Sequence, residues 1–300
     1  MKKFLQIVGI LNVTPDSYYD GGQYVSIDSA VQKVGRMLDD GADWIEVGGE
    51  STGPHSSSVS VEDELDRTIP VIKAIRKNFP KANISIDSYK PEVARAAIDA
   101  GAMMINDITA GRWLPLEEHL PHRGRIKEGG SEIMFNIIKD TNAQLVLMYS
   151  KDSSPRTTIK DVQYDDVLKT VKECLKERRD AAISAGISPE RIILDPGMGH
   201  FVSSDPKYSL ELIARLSELQ ELGCPILLSP SRKSFLAGLE NLNAGDRLPG
   251  TIAASAIAVL HGASYIRTHD VKEVRRGCEV ASVIRENLKK TYKTHTRHPE

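Results

Sequence analysis

The chain has 300 residues, 40% hydrophobic and 5% aromatic, enough to bury one large core or two small ones. Its 39 Lys and Arg nearly balance 41 Asp and Glu, and the charges are interspersed, so no basic block exists to neutralise a run of phosphates and nucleic acid is not expected as a partner. Cys174, Cys224 and Cys278 are odd in number, far apart and at no zinc or redox spacing, which reads as reduced thiols of a cytoplasmic protein.

The opening MKKFLQIVGILNV has two lysines before an apolar run, but Gln6 interrupts it and no small-residue cleavage site follows. It reads as a first strand over 5–12, and no later run is long and apolar enough to span a membrane. Similar β-branched or aliphatic runs follow at 44–49, 83–88, 103–108, 144–149, 191–196, 225–230 and 264–269. Each is mostly apolar on both faces, as a buried parallel strand must be.

Helical patterns fill the intervals. Ser60 with Asp63 three residues on resembles a capping box, and Leu65, Ile69, Ile72 and Ile75 then recur at helical spacing. Pro91 suits a first turn, Val93, Ala94, Ala97 and Ile98 share a face, and Gly101 can end the helix in a left-handed conformation. DDGAD and HGASY close two other helices in the same way. The interval 112–142 breaks the rhythm and reads as an extended loop leading to a helix in EIMFNIIKD, and the basic tail after Leu288 reads as a frayed end. A βα unit repeated eight times predicts an α/β chain closed into a (β/α)8 TIM barrel, a single domain over 1–300.

In such a barrel the reactive face is the one at the carboxyl ends of the strands. Standing there are Asn12, Glu50 with Ser51 and Thr52, Asp87, Asn106 with Asp107, Asp195, Ser231 to Ser234, and Arg267 with His269. Any one of them could simply cap the next helix. Polar groups after seven strands of eight are harder to explain that way, because a purely structural barrel needs no ring of donors and acceptors at its mouth.

Residue type divides the ring. Asp87, Asn106 and Asp195 suit a flat heterocycle edged with N–H groups and a carbonyl, with Lys233 as a further donor. Asn12, Thr52, Arg267 and His269, on strands adjacent after closure, suit a phosphate or diphosphate. The Asn12 amide oxygen could hold Mg2+ against it, since magnesium takes few protein ligands. SRKSF reads as a helix start whose free N–H groups could hold a carboxylate.

At these residues the chain resembles the dihydropteroate synthase family: GILNVTPDSYYDGG, GGEST.P, SIDSYKPEVA, INDI, DPGMG, SRKSF and IRTHDV occur in that family's order and spacing. The resemblance implies a barrel that joins a pterin-methyl diphosphate to 4-aminobenzoate and releases diphosphate, using Mg2+. It implies that Asp87, Asn106, Met148, Asp195 and Lys233 hold the pterin and that Asn12, Thr52, Arg267 and His269 hold the diphosphate, Asn12 also being the metal ligand. Tyr18, Ser234 and His200 would meet the aminobenzoate, and Asp20, Lys233, Arg267 and His269 would be catalytic. Tyr18 and Asp20 would close over the site. The diphosphate would leave first, stabilised by Mg2+, Arg267 and a protonated His269, and Asp20 would stabilise the resulting pterin-methyl cation. A homodimer packed through the later helices is a further implication.

Five residues depart from the family pattern. Gly53 stands where an arginine is usual, Tyr149 where a histidine is common, His200 and Phe201 where an aromatic often follows the DPG.G motif, and Tyr18 in place of Phe. His55 could substitute in part for the arginine. The changes gather on the aminobenzoate side, as in the acquired sulfonamide-insensitive synthases, so tolerance of sulfonamides is an expectation. Two other readings share the fold: a pterin-binding protein without catalysis, and a pterin-dependent methyltransferase. Lys233, Arg267 and His269 argue against the second.

Overall fold

A computed structural model describes residues 5–14, 27–54, 56–115, 124–126, 132–238 and 240–295. The strands are β1 (Gln6–Asn12), β2 (Trp44–Gly48), β3 (Asn83–Asp87), β4 (Met104–Asp107), β5 (Trp113–Pro115), β6 (Gly124–Ile126), β7 (Gln144–Met148), β8 (Ile192–Asp195), β9 (Leu227–Leu228) and β10 (Tyr265–Thr268). The helices are α1 (Ile27–Asp39), α2 (Val61–Asn78), α3 (Pro91–Asp99), α4 (Glu132–Lys139), α5 (Val167–Ser184), α6 (Pro206–Ala214), α7 (Leu248–Leu260) and α8 (Val271–His295).

Eight of the strands form one parallel sheet in the order β8-β7-β4-β3-β2-β1-β10-β9, and a bridge between Leu194 and Ile226 closes β8 onto the chain entering β9. The expected (β/α)8 barrel is therefore present, with every expected strand in its place. Side chains alternate as the two-residue strand period requires. Ile7, Leu11, Ile45, Val47, Ile84, Ile86, Leu145, Leu147 and Ile266 point outward into the core beneath the helices. Val8, Trp44, Met104, Val146, Ile193, Leu227 and Tyr265 meet inside the barrel. Burying an aliphatic side chain of this size is worth about 1.5–3 kcal/mol, so both sets drive closure.

Local signals act as their chemistry predicts. Ser60 caps α2, its hydroxyl accepting from the Asp63 N–H at 3.0 Å. Pro91 sits in the first turn of α3, and Gly101 follows that helix with φ 112°. Three stretches differ from expectation. The interval 112–142 contains an antiparallel pair, Trp113 opposite Ile126, as well as the expected α4. The tail read as frayed after Leu288 is helical as far as His295. SRKSF opens only one 3-10 turn, Ser234–Leu236, and the next long helix, α7, starts at Leu248.

Candidate functional site

Moving up the barrel interior, most residues above the apolar layer are polar, and Glu46, Ser85, Asp87, Asn106 and Arg267 form one connected network. At its centre is Glu46, on β2 and fully buried. Its carboxylate accepts from the Arg267 guanidinium, from Asn106 Nδ2 at 3.2 Å and from Ser85 Oγ at 3.2 Å. Arg267 also donates from Nη2 to Asp87 Oδ2 at 2.6 Å. Arg267, expected on the diphosphate half, is thus ion-paired to Asp87 of the expected pterin half and to Glu46.

Glu46 also decides what Asn106 can offer. With Nδ2 turned to Glu46, the other amide atom, Oδ1, is buried and has no partner among the described residues. A buried acceptor left bare costs about 1–3 kcal/mol, which a ligand N–H would recover. Across the ring, Asp195 accepts the Gly197 N–H at 2.8 Å on Oδ1. Burial raises the Asp195 carboxyl to about 6, against the pull of Lys233 and the Gly197 bond. Burial likewise raises Asp87 to about 7, opposed by Arg267 and reinforced by Glu46. Lys233 is lowered by burial to about 8, with Asp195 opposing.

Lys233 reaches the ring because the residue before it is strained. Arg232 has φ 56°, a left-handed conformation costing a non-glycine residue about 1–2 kcal/mol. It is pinned there: its N–H donates to Thr251 Oγ1 at 3.0 Å, its Nε donates to Asp270 Oδ2 at 2.9 Å, and its carbonyl accepts from Arg247 at 3.0 Å. The Lys233 ammonium then donates to the Met198 carbonyl at 3.3 Å and lies 5.1 Å from the centre of the Phe201 ring. Phe201 packs on an apolar group at the mouth made by Tyr89, Ile108, Trp113 and Met148. Met148 thus stands where an aromatic ligand face would need apolar contact.

On the second half, Asn12 Oδ1 lies beside Gly48. A Cβ added there would stand 3.5 Å from that oxygen and 3.8 Å from Asp87 Cβ, so the absent side chain keeps the space between them open. Thr52 is held through its carbonyl, which accepts the Thr157 N–H at 3.1 Å. His269 Nδ1 is 3.0 Å from Ser231 Oγ. The ring is exposed at one edge, yet lost hydration, with the Arg267 and Arg232 cations beside it, lowers its pKa below the usual value. The fixed positive charge beside the ring is that of Arg267.

His200 and Ser234 come together, Nε2 to Oγ 3.2 Å, although they are far apart in sequence. With a single 3-10 turn at this point, Ser234 offers its hydroxyl and the start of that turn rather than a long helix terminus. Asp107 leaves the ring, and Tyr149 does not join it. Asp107 points outward and accepts from the Thr109 N–H at 2.8 Å and the Gly111 N–H at 2.7 Å. Tyr149 joins the core beneath the helices, its hydroxyl 3.1 Å from that of Tyr164. Tyr18, Asp20 and His55 lie outside the described residues. Sequence reasoning missed Glu46, Ile108 and Trp113. Only Glu46 carries a signal, an acid in the middle of the apolar run WIEVGG.

A family model described as pterin binding enzyme matches residues 8–269. The dihydropteroate synthase of Clostridium beijerinckii is 40% identical over 279 residues, 93% of each chain. A crystal structure of the dihydropteroate synthase from Clostridium difficile, in the presence of pteroic acid, superposes with a TM-score of 0.80 at 36% identity, covering 94% of this chain and 97% of that one. The Yersinia pestis dihydropteroate synthase in a sulfonamide drug complex gives the same TM-score at 34% identity, covering 94% of each.

Proposed function

The chain belongs to the dihydropteroate synthase family of pterin-binding enzymes, and from that premise we propose that it condenses 6-hydroxymethyl-7,8-dihydropterin diphosphate with 4-aminobenzoate. The products are 7,8-dihydropteroate and diphosphate, a step of folate biosynthesis, and the enzyme is a transferase. The bond from the methylene carbon to the diphosphate oxygen breaks, the amine nitrogen bonds to that carbon, and the nitrogen loses a proton.

The observation that carries the site assignment is the bare Asn106 Oδ1 beside the raised carboxyls of Asp87 and Asp195. These three acceptors fit the N–H edge of a pterin, and burying that edge repays their lost hydration. Lys233 donates to the ring's oxygen or nitrogen side, Met148 packs on its face, and Arg267 holds Asp87 in place. Asn12, Thr52, Arg267 and His269 take the diphosphate, whose negative charge favours the protonated form of the His269 ring. His200 and Ser234 take the aminobenzoate carboxylate, and Tyr18 and Asp20 close over the substrates from the loop after β1.

Mg2+ fits this donor set. Among the described residues no cluster of three or more His, Cys, Asp or Glu could hold a metal, whereas the Asn12 amide oxygen beside the open Gly48 is a hard donor suited to an ion that takes its other ligands from phosphate and water. Bound there, the ion would neutralise charge on the diphosphate.

Three further readings belong to the same proposal. Gly53 and the His200–Ser234 pair give the aminobenzoate side a shape of its own, which favours tolerance of sulfonamides. Ile257 on α7 and Val280, Val283, Ile284 and Leu288 on α8 are exposed apolar residues suited to a homodimer contact. A cytoplasmic setting fits three free cysteines, and no helix of the described residues is long and apolar enough to cross a membrane.

The test is product formation from the two substrates with and without Mg2+ and a sulfonamide. Dihydropteroate formed only with Mg2+ supports the reading, and persistence in drug supports the tolerance. Pterin binding without any product would instead support a binding protein that does not catalyse.

A further inference from the structure

One guanidinium grips both ends of the loop that carries Thr52. Arg156, in the segment after β7, ion-pairs through Nη2 with Glu50, and the same nitrogen donates to the Ser57 carbonyl at 3.2 Å. Between these anchors the chain turns tightly, the Ser56 N–H at 3.2 Å and Oγ at 2.7 Å both donating to the Gly53 carbonyl. The residue after Arg156 grips the turn from within, since the Thr157 N–H donates to the Thr52 carbonyl at 3.1 Å. Glu50 is also fixed from the opposite side, by Lys90 Nζ at 2.6 Å and the Tyr89 hydroxyl at 3.2 Å. Lys90 is 1% exposed and donates as well to the Val59 carbonyl at 2.8 Å, where the loop ends.

Such a clamp is costly. Arg156 is only 25% exposed, and its Nε is buried with no partner among the described residues. Buried ion pairs of this kind add little net stability, and a Gly-, Pro- and Ser-containing surface loop does not need one in order to fold. What the clamp does supply is a fixed place for Thr52, and a preset donor gains most when it meets a charged group. We propose that Arg156 is a positioning residue for the diphosphate end of the substrate, holding the Thr52 loop in its binding conformation through Glu50 and Ser57. The same segment reaches the other substrate's side, because Thr157 Oγ1 donates to the His200 carbonyl at 2.7 Å.

The proposal rests on the synthase reading and is tested with Arg156→Ala and Arg156→Lys in the full chain. Each variant is titrated with 6-hydroxymethyl-7,8-dihydropterin and, separately, with its diphosphate, and is then assayed. Arg156→Ala is expected to bind the alcohol within about twofold of wild type, while affinity and kcat/KM for the diphosphate fall about tenfold, the scale of one charge-assisted hydrogen bond. Arg156→Lys, which keeps a cation to pair with Glu50 but lacks the planar, rigid guanidinium that fixes the shared donor between Glu50 and Ser57, recovers part of that loss. Equal losses for the two ligands, or no loss for either, would overturn the proposal. The split between the ligands reads the clamp even in a wild type that made no product, a result that would defeat the synthase reading alone.

Discussion

Val8, Trp44, Met104, Val146, Ile193, Leu227 and Tyr265 fill the amino-terminal half of the barrel interior with apolar surface. Two residues further along the same strands, Trp44 gives way to Glu46, Met104 to Asn106, Ile193 to Asp195 and Tyr265 to Arg267. Backbone, register and inward direction are common to both layers, so side-chain chemistry alone separates them. The lower layer gains free energy by leaving water. The upper layer loses it, as the raised Asp87 and Asp195 and the lowered Lys233 record. A barrel that keeps the second layer does so for a ligand.

Ile193→Ala should break the lower layer, costing about 2–5 kcal/mol in denaturant unfolding while leaving pterin affinity of the folded fraction unchanged. Asp195→Asn should break the upper one: kcat/KM for the pterin diphosphate falls on the order of a hundredfold, the loss of about two charge-assisted hydrogen bonds. If Ile193→Ala abolished pterin binding in folded protein, the division between the layers would be wrong.

The same Asp195→Asn variant sharpens the contrast through stability. The folded-state pKa of Asp195, about 6, lies above its ordinary 3.8, so its contribution is full below about pH 4 and is lost as pH rises through 6. Asparagine suffers no such loss and can still accept the Gly197 N–H. The ligand-free variant is therefore expected to be about 1–2 kcal/mol more stable than wild type at pH 8, with the gain vanishing towards pH 4. In the wild type, kcat/KM should fall below pH 6–7 as Asp195 and Asp87 take up protons, and above about 8 as Lys233 loses one. The basic limb approaches about tenfold per pH unit, and the acid limb steepens towards about a hundredfold per unit once both carboxyls are protonated. A profile flat from pH 5 to 9 would remove these groups from substrate binding.

The strand ends made most of this layer legible: Asp87 and Asp195 close apolar runs, and Asn106 and Arg267 stand one residue before the end of theirs, where a polar side chain breaks the run. Glu46 escaped because it lies inside its run, and a mid-strand acid shows its inward face only once neighbouring strands fix the register. The converse error is Asp107, polar and at a strand end, yet one residue out of phase and turned to the backbone of Thr109 and Gly111. Trp113 lies in the irregular interval after β4, where no period points to the mouth. The helix read into SRKSF stops after one turn, with Gly238 at φ 64° closing the stretch that follows it. The lowering of the His269 pKa was beyond sequence reading, because it depends on burial and on Arg267 and Arg232 arriving beside it from different elements.

The most direct test is calorimetric titration of 6-hydroxymethyl-7,8-dihydropterin into wild type and Asp195→Asn at pH 7.5. Saturable binding to the wild type and none to the variant at the same concentrations, with both chains folded, is the predicted result. Equal affinity for the two would contradict the assignment of the upper layer to the pterin.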